Sequence, residues 1–104
     1  MRIDVFPDAD AVAAAAAKEV AAAAREAVAA RGRFVFAVSG GTTPWQMLKA
    51  LAAEDVPWGG VFVAQVDERA APAGHPDRNL THLRDSLLSH DPLRPEQVLA
   101  MPVE

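Results

Sequence analysis

Residues 33–44 read Arg33-Phe34-Val35-Phe36-Ala37-Val38-Ser39-Gly40-Gly41-Thr42-Thr43-Pro44. The first seven residues are aromatic, β-branched and nearly all apolar, which predicts a strand over Arg33–Ser39. A run without polar alternation implies burial on both faces, as in a parallel sheet. Small polar residues follow. A second helix then starts, over about 44–54, with Thr43 as N-cap and Pro44 at its first position. Gln46, three residues after Thr43, completes a capping box.

Upstream, residues 11–31 predict a long Ala-rich helix. Asp8 or Asp10 can cap it, Arg31 suits its dipole, and Gly32 stops it. Val12, Ala16, Val20, Ala24 and Val28 form an i, i+4 row expected to lie on a sheet. Arg2–Phe6 alternates polar and apolar, and reads as a first short strand ended by Pro7-Asp8. Downstream, Pro57-Trp58-Gly59-Gly60 is a turn, and Val61–Asp67 is a second buried-type strand. Glu68–Arg78 is a loop. Asn79–Leu88 reads as helix, capped by Asp77 or Asn79. Asp91-Pro92 and Arg94-Pro95 break the chain, and Val98–Met101 is one more short strand. The order β-α-β-α-β-α-β predicts an α/β fold: an open, mainly parallel, Rossmann-like sheet with flanking helices.

The composition bounds the rest. A length of 104 residues allows one domain, residues 1–104. Alanine fills 23 positions but little volume, so the larger Val, Leu, Phe, Ile and Trp side chains must supply the core. The absence of cysteine excludes a disulfide scaffold, a thiolate metal site and a cysteine nucleophile. A net charge of −4 leaves no basic stripe for a nucleic acid. No apolar run approaches the ~20 residues of a membrane span. The start of the chain lacks a secretory pattern, so a cytoplasmic location is expected.

Two polar clusters fall at strand ends, where open α/β sheets bind ligands. Ser39-Gly40-Gly41-Thr42-Thr43 offers close backbone approach, three hydroxyls and a helix N-terminus, the ingredients of a phosphate site. The same residues also suit a plain strand-to-helix turn. Asp67-Glu68-Arg69 closes the second buried strand. Arg69 can fork onto phosphate or carboxylate, and Asp67 can orient it, bind a sugar hydroxyl or act as a base. A solvated loop start with a local ion pair is the alternative. His75, His82 and His90 make no metal motif and read as surface residues. There is no Walker loop, no G-x-G-x-x-G and no nucleophile elbow. A binding half-site is present without a catalytic engine.

Together the clusters resemble the 6-phosphogluconolactonase family. Phe36–Pro44 is similar to that family's phosphate loop. Val66-Asp67-Glu68-Arg69, then Pro72, His75-Pro76-Asp77 and Asn79, is similar to its second motif. Leu99–Glu104 closes the first half, and the resemblance covers essentially the whole chain. It implies hydrolysis of 6-phosphoglucono-δ-lactone to 6-phosphogluconate, in the oxidative pentose phosphate pathway, with no metal or organic cofactor. It also implies a sugar phosphate held by Ser39, Gly40, Gly41, Thr42, Thr43, Arg69 and Asn79, with Asp67 helping to order the site. Glucosamine-6-phosphate deaminases and sugar-phosphate isomerases share the fold, and either activity, or a non-catalytic sugar-phosphate-binding domain, is the alternative. Asp-Glu-Arg favours the lactonase over the deaminase, which carries Asp-Glu-Tyr. Two departures stand out. Arg78 replaces the usual Ser before Asn79, adding a cation near the site or pointing to solvent. The family's Gly-x-Asp-Gly-His motif, which bears the catalytic histidine, is absent. The chain therefore resembles the N-terminal half of a lactonase, inactive alone. It is expected to need its missing half or to self-associate through an exposed sheet edge.

Overall fold

A computed structural model of the chain describes residues 2–87 and 93–103. Helix α1 runs Ala9–Arg31. The Asp8 carboxylate accepts from Ala11 N at 2.8 Å and caps it. Gly32 ends it in the left-handed region, φ 80°, with its N–H on Val28 O. Strand β1 is Phe34–Val38, helix α2 Thr42–Ala52 and strand β2 Val61–Gln65. Helix α3 is Asn79–Ser86 and strand β3 Val98–Leu99. Single 3-10 turns at Trp58–Gly60 and Pro95–Gln97 lead into β2 and β3. The strands are parallel in the order β1-β2-β3, with Val38 opposite Gln65 and Ala64 opposite Leu99. The expected parallel α/β architecture is present.

The core lies on one side of the sheet. Val61 and Val63 pack with Ala17, Ala21 and Ala24 of α1, Leu48 and Leu51 of α2, and Leu83 of α3, flanked by Phe34, Phe36 and Val98. Buried Gln97 stitches β3 to the turn before β2. Its Nε2 donates to Trp58 O and Val61 O, each at 2.7 Å, and its Oε1 accepts from Arg94 N. Burying that amide is tolerable because both of its ends are bonded.

Four expectations need correction. Residues 2–6 do not join the sheet. Ile3 and Val5 are exposed, and Arg2 turns instead to Asp4 and Glu19. An alternating segment becomes a strand only where a neighbour supplies its hydrogen bonds, and no described strand does so here. The buried row of α1 is Ala13, Ala17, Ala21, Ala24 and Ala27, whereas Val12 is 39% exposed. Alanines let α1 close onto α2, so the small side chains face inward and the valines flank them.

The strand predicted to be buried on both faces is not. β1 alternates, with Val35 52% exposed. The registers Val35↔Phe62 and Ala37↔Ala64↔Leu99 place these residues together on the face opposite the core. Finally, α2 starts at Thr42, with Gly41 at the N-cap and no side-chain cap, so Thr43 and Gln46 form no capping box. Pro44 is the third residue of the helix. It disrupts nothing there, because first-turn amides have no intrahelical acceptor.

Candidate functional site

The parallel register sets the C-terminal ends of β1 and β2 side by side. Val66 N donates to Val38 O at 2.9 Å, carrying the ladder one step past β2. Beyond that point β1 gives way to the Ser39–Thr43 loop and β2 to Asp67-Glu68-Arg69. Gly41 has φ 131° and ψ 162°, a conformation that only glycine holds without strain. Its carbonyl accepts from Trp45 N, the first bond of α2. The first-turn amides of α2 thus face the rim of the sheet without a capping side chain. Ser39, Thr42 and Thr43 are exposed at that rim. A groove of about 430 Å³ runs beside the loop between α1, β1 and α2, with Ser39 and Thr43 among its lining and Val20, Phe36 and Met47 as apolar walls.

Asn79, the first residue of α3, reaches across the site. Its Nδ2 donates to Asp67 Oδ1 at 3.3 Å and to Asp67 O at 3.4 Å. The same side chain lies against Gly40, where a Cβ would fall 2.5 Å from Asn79 Cγ. Gly40, Asp67 and Asn79 are therefore brought together from three segments. Arg69 is exposed, and among the described residues its guanidinium makes no ion pair.

Glu68 does the reverse of its neighbours and turns inward, its side chain fully buried. One oxygen accepts from Arg69 N at 2.7 Å and Asn79 N at 2.6 Å. The other accepts from Gln65 Nε2 at 2.9 Å and Leu80 N at 3.0 Å, and lies 3.1 Å from Arg78 Nε. Burial by itself would raise the carboxyl pKa. The bonds from Gln65 and from the amides of Arg69, Asn79 and Leu80 outweigh burial and hold it at about 2. Neither Asp77 nor Asn79 caps α3, because Glu68 does so from the preceding strand end.

Arg78 neither adds a cation to the site nor points to solvent. It is 4% exposed, pairs with Glu68, and donates from Nη1 to Ala71 O at 3.0 Å. An Arg can be buried here because a buried carboxylate and a carbonyl meet its donors. His75 is exposed, and its Nδ1 accepts from Asp77 N. His82 is half-buried rather than a free surface residue. Its ring stacks on Trp45 at 4.0 Å, and its Nε2 donates to Pro76 O at 2.7 Å. His90 lies outside the described residues. Among the described residues, no three His, Asp or Glu side chains cluster as metal ligands would, and no helix is long and apolar enough to cross a membrane. The inward turn of Glu68 and its pairing with Arg78 were not legible in the sequence, since the three charges of Asp67-Glu68-Arg69 look alike there.

A sequence profile of the family described as glucosamine-6-phosphate isomerases/6-phosphogluconolactonase matches residues 7–104, and the chain belongs to that family. Within it, the similarity runs to proteins named 6-phosphogluconolactonase. The one from Mesorhizobium japonicum is 42% identical over 87 residues, covering 84% of this chain and 37% of its own length. The one from a Nostoc species is 33% identical over 100 residues, covering 96% and 42%. The crystal structure of a 6-phosphogluconolactonase from Shewanella baltica superposes with a TM-score of 0.78 at 29% identity, over 92% of this chain and 40% of that one. The chain thus spans about 40% of the length of the relatives it matches.

Proposed function

We propose that this chain carries the phosphate-binding part of a 6-phosphogluconolactonase, the enzyme that hydrolyses 6-phosphoglucono-δ-lactone to 6-phosphogluconate. The observation behind this reading is that two family motifs meet on adjacent parallel strand ends, joined by Asn79 between Gly40 and Asp67. In the reaction, water adds to the lactone carbonyl and the ring C–O bond breaks. The ring oxygen leaves as a hydroxyl after taking a proton, and the carbonyl becomes a carboxylate. This chain's contribution is binding and orientation. The amides of the Gly40–Thr42 turn and the hydroxyls of Ser39, Thr42 and Thr43 receive the phosphate. Arg69 supplies positive charge at the phosphate or the developing oxyanion. Asp67 and Asn79 order the rim. The general base belongs to the histidine motif that this chain lacks.

The same reading assigns the open sheet face of Val35, Ala37, Phe62, Ala64 and Leu99 to the remainder of such a domain. Without it, two copies of the chain meet there. A sugar phosphate is then the small-molecule partner, and the cytoplasm, where free sugar phosphates are processed, the location.

The test is an assay of the gene product that carries this chain, with fresh lactone, glucosamine-6-phosphate and ribose-5-phosphate in parallel. Consumption of the lactone alone is expected. Turnover of glucosamine-6-phosphate would replace this reading with a deaminase. Residues 1–104 by themselves should not exceed the spontaneous rate of lactone opening.

A further inference from the structure

We infer that Glu68 is a positioning residue, whose buried carboxylate clamps the start of α3 to the end of β2 and thereby holds Asn79 against Gly40 and Asp67. The inference rests on the phosphate site proposed above and assigns it a part that touches no ligand. Four hydrogen-bond donors converge on the two oxygens of Glu68, the amides of Arg69, Asn79 and Leu80 and the Gln65 amide group, and the Arg78 guanidinium pairs with one of them. Two of those amides belong to the first two residues of α3. Such amides have no acceptor in their own helix and normally face water or a local cap. Here the acceptor comes from eleven and twelve residues upstream, so the bonds set where α3 begins. That start is Asn79 itself.

The clamp also divides the motif by direction. Glu68 points into the protein, and Asp67 and Arg69 on either side of it are left exposed. The Glu68 bond to Arg69 N fixes the backbone from which the Arg69 side chain projects. Gln65 links the arrangement to the far edge of the sheet, donating to Glu68 from Nε2 while its Oε1 accepts from Met101 N at 2.8 Å. Arg78 closes the clamp from below. Its guanidinium is the cation that neutralises the buried carboxylate. Exchanging one oxygen of Glu68 for an NH2 group replaces an acceptor with a donor that faces at least two other donors, so the clamp cannot survive the change intact.

The experiment uses the full gene product with 6-phosphogluconate as probe. In the wild type, amide hydrogen exchange should show Asn79 N and Leu80 N protected, unlike ordinary first-turn amides. Fast exchange at both overturns the clamp without any variant being made. In Glu68→Gln, that protection should fall and 6-phosphogluconate should bind about tenfold or more weakly, at a temperature below the variant's melting transition. Adding Asn79→Ala to Glu68→Gln should cost little more, since both act at one point. A folded Glu68→Gln protein that binds as the wild type does overturns the positioning role and leaves the proposed function standing. A wild type that binds no 6-phosphogluconate removes the proposed function, and this role with it. If Glu68→Gln does not fold, Glu68→Asp, which keeps the charge but shortens the reach, carries the same comparison.

Discussion

Asn79 occupies the space that a side chain on Gly40 would need. A Cβ at position 40 would sit 2.5 Å from Asn79 Cγ and 2.7 Å from Nδ2, the atom that donates to Asp67. Glycine is favoured there by close approach rather than by backbone angle, since a Cβ would displace the Asn79 side chain. Gly40→Ala should therefore push Asn79 off Asp67 and destabilise the chain by about 1–3 kcal/mol. Denaturant unfolding measures that cost. Asn79→Ala in the same chain should return most of it, and an additive loss would show that the contact is not the cause.

Arg69→Ala tests the proposed phosphate site directly. An exposed guanidinium with no ion pair among the described residues is available for an anion. Its removal should weaken 6-phosphogluconate binding about ten- to a hundredfold and leave the melting temperature nearly unchanged, as read by calorimetry. Unchanged affinity would favour a loop that merely turns the chain.

Acid should remove the clamp's contribution to stability. The Glu68 carboxyl is lowered from 4.5 to about 2 in the folded chain. A carboxylate depressed by folding contributes stability above its unfolded pKa, and that contribution is lost as pH falls through the folded value. Stability on the order of 3 kcal/mol should thus disappear between pH about 4.5 and about 2. Urea midpoints across that range should drop in the wild type and change less in Glu68→Gln.

The open face of the sheet should make residues 1–104 associate. Val35 and Leu99 are 52% and 49% exposed on a surface otherwise built of Ala37, Phe62 and Ala64. Apolar patches of this kind are normally covered. Light scattering should give a mass above the 11.0 kDa of the chain. Val35→Lys together with Leu99→Lys should bring it toward the monomer without loss of helix. A monodisperse wild-type monomer would count against the idea.

Much of this molecule was legible one turn at a time. Asp8 and Gly32 bracket α1 because a cap and a stop act on amides and carbonyls within a few residues of themselves. Apolar runs announced β1 and β2 for the same local reason, and the glycine pair and Asp-Glu-Arg fell at strand ends that the alternation of elements placed on one rim. The row Val12–Val28 was misread because helical spacing shows that a face exists, not which of two adjacent rows a partner selects. Here α2 selected the alanines. Residues 2–6 were misread because strand pattern is local and strand pairing is not.

Residue types and their spacing alone therefore settle the parallel α/β order and the family motifs. Which of Asp67, Glu68 and Arg69 faces inward was decided only when β2 and the start of α3 came together. The same holds for where Arg78 finds its partner and which face of the sheet stays open. These outcomes depend on donors and acceptors eleven or more residues apart. Burial then makes the choice: a charge inside the protein is tolerated only where enough partners meet it, and only the assembled fold supplies them.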